Sequence, residues 1–313
     1  MLPRTYINPP DHWLTQPALP YSQAVRCGEL LFITGQVALD KTLQVIAPGD
    51  LPGQISAAMG DLCNVLDAAD MAPTDLVQLR AFYVDEPTAS SETVTRQMAH
   101  AMGALAGPGP ALTLVPVQAL MSPGVLFEVE AIAMRGHNGQ ALARTVAWDP
   151  SWHGPPAPFS HALRVGEMCF TSGVTAQSHG FIEAPEDLIG QSHIVLRRLD
   201  ALLRQLGAGI NDTVKTNLFN VEPGNTQDWA APALARGSYY TEPGPAATGL
   251  SLKAIRPKGV MMINDVIAMR ATNGERLARS HVWPDKHWDW TVHLPYRHGI
   301  RCGDLIFLGG QVP

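Results

Sequence analysis

Pro20–Val37 reads PYSQAVRCGELLFITGQV. A proline–aromatic step opens it, a short run follows, Gly28-Glu29 supplies a tight turn, and a second, apolar run ends at Gly35. Two strand-like runs joined by turn chemistry mark a β-hairpin. The same pattern recurs at Pro158–Val174 (PFSHALRVGEMCFTSGV) and at Pro295–Val312 (PYRHGIRCGDLIFLGGQV). The interval of roughly 140 residues is domain-sized, since solenoid repeats run at roughly 20–50. Each hairpin therefore opens a domain.

The two long intervals carry matched elements. Asp50-Leu-Pro-Gly-Gln54 and Asp187-Leu-Ile-Gly-Gln191 each precede a helical stretch. Ile55, Met59, Leu62, Cys63 and Leu66 share one helical face in the first; Val195, Leu199, Leu202, Leu203 and Leu206 do so in the second. Strands are expected at Asp75–Val84 and Asp212–Val221, second helices at Thr88–Leu105 and Thr226–Tyr240. Further strands are expected at Ala111–Val117, Val125–Met134, Thr248–Ile255 and Val260–Met269, after glycine–proline breaks. The order ββαβαββ gives an α+β fold of tandem two-layer domains, with both helices on one face of each sheet. Residues 1–19 carry Pro9, Pro10 and Pro17 and are expected to form an irregular arm. LARTVAW at 142–148 and LARSHVW at 277–283 read as matched repeat endings. The domains are placed at 1–150, with the arm, and 151–285, with 286–313 the opening hairpin of an incomplete third repeat. A lone hairpin is only marginally stable. Either the sequence is cut short at Pro313, the favoured reading, or the hairpin docks on another repeat or chain.

PYSQAV, the glycine hairpin, DLVQLRAFYV at Asp75–Val84, Pro110-Ala111 and FEVEAIA at Phe127–Ala133 together resemble the Rid family, also called YjgF or endoribonuclease L-PSP. Counterparts in the second repeat are Asp212–Val221, Pro245-Ala246 and Ile263–Ala268, so the resemblance covers nearly the whole chain. It implies a chorismate-mutase-like fold and a trimer around a three-fold axis, which three repeats on one chain would imitate. Two repeats and a fragment cannot close that ring. The expected assembly is therefore a homo-oligomer or an intramolecular pseudo-trimer.

The resemblance also implies a pocket. Family members that deaminate enamines or imines hold the substrate carboxylate with the arginine of a Pro-Ala-Arg step, whose planar fork pairs both oxygens. Leu112 and Ala247 stand at that position here, and no neighbouring basic residue replaces it. That suits a neutral ligand. Glu128 matches a family glutamate and is the candidate catalytic group, orienting a water or holding a proton; a structural, hydrogen-bonded carboxylate is the competing reading. Ile263 takes its place in the second repeat. Tyr21, Thr34, Gly35, Phe159, Ser172, Gly173 and Tyr296 match pocket-lining positions, against a plain role in hairpin geometry and packing. A family asparagine has no clear counterpart near Val94 or Ala230.

Hydrophobic content of 46% supports real cores, and a net charge of −6 supplies no basic face for nucleic acid. RNA cleavage is accordingly the least favoured activity. The four cysteines show no paired spacing, and Cys27 and Cys302 align with Val165, which marks them as packing residues. His281, His287 and His293 lack metal-ligand spacing; no metal or cofactor is expected. The beginning does not read as a signal peptide, and no apolar run approaches the roughly 20 residues of a membrane span. A cytoplasmic small-metabolite protein is expected, hydrolysing an enamine, imine or related substrate. The alternative is a non-catalytic ligand-binding or scaffold protein of the same fold.

Overall fold

The computed structural model describes residues 3–10, 12–13, 20–86, 89–105, 107–221 and 229–311. The chain forms two units. Unit 1 comprises Met1–Ala143 with Pro155–Ser160; unit 2 comprises Arg144–Gly154 with His161–Pro313.

Unit 1 runs β1 (Arg4–Ile7), β2 (Ala24–Cys27), β3 (Leu30–Val37), α1 (Leu51–Ala68), β4 (Leu76–Val84), α2 (Ser91–Met102), β5 (Ala111–Val117) and β6 (Phe127–Met134). Its sheet has the order β1-β2-β3-β6-β4-β5. β4 and β5 pair in parallel, because the α2 crossover returns the chain in the same direction. Alternation along β6 sends Phe127, Val129, Ala131 and Ala133 into the core, while Glu128 and Glu130 point to the other face. Helix α1 lays Ile55, Met59, Leu62 and Leu66 on that core.

The Asp50–Gln54 motif has a structural meaning. The Asp50 carboxylate caps α1 by accepting from the Gly53 N–H at 3.1 Å. Gln54 is buried; its Nε2 donates to Gly124 O at 2.9 Å and its Oε1 accepts from the Leu126 N–H at 2.8 Å. The start of the helix is thus tied to the loop that feeds β6. Asp187 and Gln191 repeat both devices in unit 2, with Gln191 bridging Gly259 O and the Met261 N–H.

Unit 2 runs β7 (Arg144–Ala147), β8 (Ala162–Val165), β9 (Met168–Thr171), β10 (Gln177–Ser178), β11 (Phe181–Ile182), α3 (Leu188–Gln205), β12 (Thr213–Val221), α4 (Ala230–Gly237), β13 (Ala246–Leu252) and β14 (Met262–Met269). Its main sheet, β7-β8-β9-β14-β12-β13, has the connectivity of unit 1. A second sheet joins β15 (Arg279–Val282), β16 (Gly299–Cys302) and β17 (Leu305–Leu308). The two-layer α+β reading of each repeat therefore holds.

Three expectations need correction. Arg4–Ile7 is a strand, not irregular arm: it pairs antiparallel with Ala24–Cys27, and the prolines taken as breakers lie outside it. The segments 142–148 and 277–283 do not end repeats. Their strands, β7 and β15, pair with the hairpin strands β8 and β16 that follow, as β1 does with β2. Helix α4 is also shorter than Thr226–Tyr240; residues 226–228, like Thr88, lie outside the described residues.

Candidate functional site

In unit 1, β3 carries a bulge where its pairing with β6 shifts. Ile33 faces Ala131 and Gln36 faces Val129, so Thr34 and Gly35 together oppose Glu130. Gly35 lies against the carboxyl group of Glu128, so closely that a Cβ on Gly35 would overlap Glu128 Oε1. Burial, and secondarily the neighbouring Glu130 charge, push the Glu128 carboxyl above the ordinary carboxylate range. Glu130 is itself tied to Arg80 at 2.6 Å. Among the described residues no ion pair or hydrogen bond to Glu128 offsets its burial. The result is a carboxyl group that holds its proton more tightly than usual and lies against the backbone of Gly35.

The other expected residues of unit 1 do not join Glu128. Leu112 and Phe159 are both in the hydrophobic core with Leu79 and Val129, on the helix side of the sheet. Glu128 projects from the opposite side. Tyr21 is 50% exposed. Thr34 Oγ1 donates to Gln23 O at 3.1 Å, and its N–H donates to the same oxygen at 3.0 Å. Ser172 and Gly309 repeat this backbone bond, to His161 O and His298 O. Here the threonine–glycine step serves hairpin geometry, with Gly35 additionally serving Glu128.

Unit 2 holds a cavity. The third proline–aromatic entry lies along the β13 edge: Gly244 N–H donates to Pro295 O at 2.7 Å, and Arg297 N–H to Pro245 O at 3.1 Å. Gly310 N–H adds a bond to Ala247 O at 2.9 Å, and Lys215 Nζ reaches Leu308 O at 2.7 Å. The hairpin is therefore docked on the second repeat. Beneath this seam lies a cavity of about 360 Å³. Ala247 and Tyr296 are among its lining residues; Ser172 and Gly173 are not.

The remaining lining was not anticipated. Trp288 and Trp290 enter from the segment before the hairpin, Arg236 from α4, Tyr240 from just beyond α4 and Asn264 from β14. Arg236 is 9% exposed and donates to Ser192 Oγ at 3.4 Å; it also meets the Tyr296 hydroxyl, whose proton is held more tightly by burial. No basic residue neighbours Ala247 along β13; the guanidinium in the lining comes from a helix outside the strand motif. A signal did exist. The core residues Leu79, Tyr83, Leu112 and Val129 of unit 1 correspond to Thr216, Asn220, Ala247 and Asn264, which line the cavity. Apolar bulk is exchanged for small or polar groups at just these positions. Asn264 Nδ2 is held by Thr216 Oγ1 and Asn217 O, each at 2.8 Å.

The profile of the endoribonuclease L-PSP family matches residues 14–135 and again 153–269. The chain belongs to this family. Among L-PSP relatives, a RutC family protein of Pyrococcus horikoshii is 30% identical over 122 residues, covering 38% of this chain and 90% of that protein. The mitochondrial protein mmf2 of Schizosaccharomyces pombe is 33% identical over 117 residues, 36% of this chain and 86% of that one. Escherichia coli TdcF with bound serine, a crystal structure, is 25% identical with a TM-score of 0.36, covering 42% of this chain and 99% of the other. RidA from a Psychrobacter species is 23% identical with a TM-score of 0.35, covering 42% and 98%. Relatives of one-repeat length thus match a chain in which the L-PSP pattern occurs twice. Among the described residues no group of three or more His, Cys, Asp or Glu could hold a metal ion, and no helix is long and apolar enough to cross a membrane.

Proposed function

We propose that this L-PSP family protein hydrolyses a small imine or enamine, with Glu128 as the group that transfers the proton. The observation that carries this reading is the Glu128 carboxyl, raised by burial and set against the bare backbone of Gly35. Hydrolysis of a C=N bond needs a proton delivered to nitrogen and one taken from the attacking water. A carboxyl titrating closer to neutrality does both better than an ordinary glutamate. Leu112 stands where the family's carboxylate-gripping arginine would, and its side chain lies on the sheet face opposite Glu128, so no guanidinium comes from that position; substrates that are neutral at that end are favoured.

The test generates imines in situ from amines and from amino acids with an oxidase, and follows the carbonyl product with and without the protein. Glu128→Gln is expected to lower turnover by about 100-fold or more, the low end of general acid–base contributions. Unchanged turnover in that variant would remove Glu128 from the chemistry. Faster turnover of carboxylate-bearing imines than of neutral ones would reverse the substrate preference.

A further inference from the structure

The sheet β15-β16-β17 turns an apolar face outward. Strand alternation puts Val282, Arg301, Ile306 and Leu308 on that face, while Ile300 and Cys302 are buried on the other. Ile306 is 63% exposed and Leu308 61%. In the repeated pattern these two stand where the first repeat has Leu31 and Ile33, which are 0% and 5% exposed. Leu31 and Ile33 belong to the core that α1 covers with Met59, Leu62 and Leu66. Cys169 holds the place of Ile306 in the second repeat, and it lies in the core under α3. Twice in this chain, then, the same hairpin face is closed by an amphipathic helix of 18 residues. On the third hairpin that face is open among the described residues.

An arginine marks which end of a helix fits there. Arg26, Arg164 and Arg301 occupy one position of the pattern. Arg26 Nη1 donates to Ala69 O at 3.2 Å, and Arg164 Nη1 donates to Leu206 O at 2.9 Å. Ala69 and Leu206 are the C-cap residues of α1 and α3. The last carbonyls of a helix lack intrahelical donors and carry the negative end of its dipole, so a cation is favoured beside them. Arg301 is held locally as Arg164 is: the Nε of each donates to a turn glycine, Gly303 O at 3.2 Å and Gly166 O at 2.9 Å. Yet Arg301 is exposed and meets no helix end among the described residues. The edge of the sheet is open too. Among the described strands β17 pairs with β16 alone, whereas β3 and β9 also pair with β6 and β14. A second copy of the chain offers no helix for this face from its described residues. α1, α2 and α3 bury their apolar residues in their own units, and α4 has only eight residues.

We propose that the outer face of the third hairpin docks an amphipathic helix of a partner chain, its apolar stripe on Val282, Ile306 and Leu308 and its C-terminal carbonyls on Arg301. Docking there is independent of the Glu128 chemistry and is read without turnover. The probes are fluorescently labelled peptides spanning residues 50–70 and 187–207, which are α1 and α3 with their caps. Control peptides carry the same residues in an order that breaks the apolar stripe. Fluorescence anisotropy against the full chain should show saturable binding of at least one native-order peptide, with its control about tenfold weaker or worse. Ile306→Asp should weaken that peptide about tenfold or more, and Arg301→Glu roughly tenfold. Both side chains are exposed, so both variants should keep the melting temperature of the parent chain, which separates lost docking from lost folding. The proposal is overturned if neither native-order peptide binds, if the stripe-broken control binds equally well, or if Ile306→Asp leaves affinity unchanged. Sedimentation equilibrium supplies the last arm. The full chain should show no self-association that Ile306→Asp removes; a dimer abolished by that substitution would give the face to a second copy and overturn the partner helix.

Discussion

Gly35 matters for the Cβ it lacks. Its backbone is not in the left-handed region that favours glycine, yet any side chain would collide with the carboxyl group of Glu128. Gly35→Ala should therefore force Glu128 out of position. Overpacking of this kind costs roughly 1–3 kcal/mol, to be seen as a lower urea midpoint, and imine turnover should fall with it. His161 makes the opposite point, a buried histidine where the first repeat has Gln23 and the third has His298. It is packed between Trp148 and Trp152, with ring centroids 4.4 and 4.6 Å away, and its Nδ1 accepts from the Asp149 N–H. Burial, helped by His179 and opposed by Asp149, lowers its pKa from 6.5 to about 4. The unfolded chain then binds the proton more readily than the folded one. Stability from neutral His161 is complete above 6.5 and is lost as the pH falls from there toward about 4. Gln23 occupies this position in the first repeat, so His161→Gln should flatten the dependence of melting temperature on pH within that window. An unchanged slope would show that other groups set it.

At the scale of elements, the repeated helix start is the clearest case of sequence dictating structure. The Asp–x–x–Gly–Gln spacing puts a cap and a clamp one turn apart. The amphipathic spacing behind it selects the buried face. Gln54→Ala would leave the Leu126 N–H and one bond to Gly124 O unmade inside the protein, a loss of roughly 2–4 kcal/mol. Equilibrium unfolding should show it, and Gln54→Glu should rescue little, since it cannot supply the amide donor. The first strand was illegible for a related reason. Arg4–Ile7 has no alternating pattern strong enough to outweigh nearby prolines, and only its pairing with Ala24–Cys27 makes it a strand.

For the whole molecule, the distribution of core residues matters more than the repeat count. Leu294 and Tyr296 belong to the core of unit 2, and Phe159 to that of unit 1. Each repeat is thus completed by the proline–aromatic entry of the next. Fully burying a large apolar side chain is worth roughly 1.5–3 kcal/mol. A chain shortened to end at Trp283 loses two such residues, together with the wall of Trp288 and Trp290. It should melt several degrees lower in the transition reported by Trp152, which is buried in unit 2. No change in that transition would mean that the third hairpin is only an appendage.

The sequence by itself determined the hairpins, the amphipathic helices, their order and the two-layer class, because those depend on contacts between near neighbours and on strand and helix periods. It also singled out Glu128 and Gly35, though not that they touch. Tertiary structure alone decided the division of Leu112 and Glu128 between opposite sheet faces, the docking of the hairpin on β13, and the cavity beneath it. Arg236, Asn264 and Trp288 come from distant elements, and their convergence depends on which face of each element is buried. The polar exchanges at Thr216 and Asn264 look like ordinary repeat divergence until strand pairing places them against one wall. Local physics fixes the direction of a side chain; what it meets is set by chain far away in sequence.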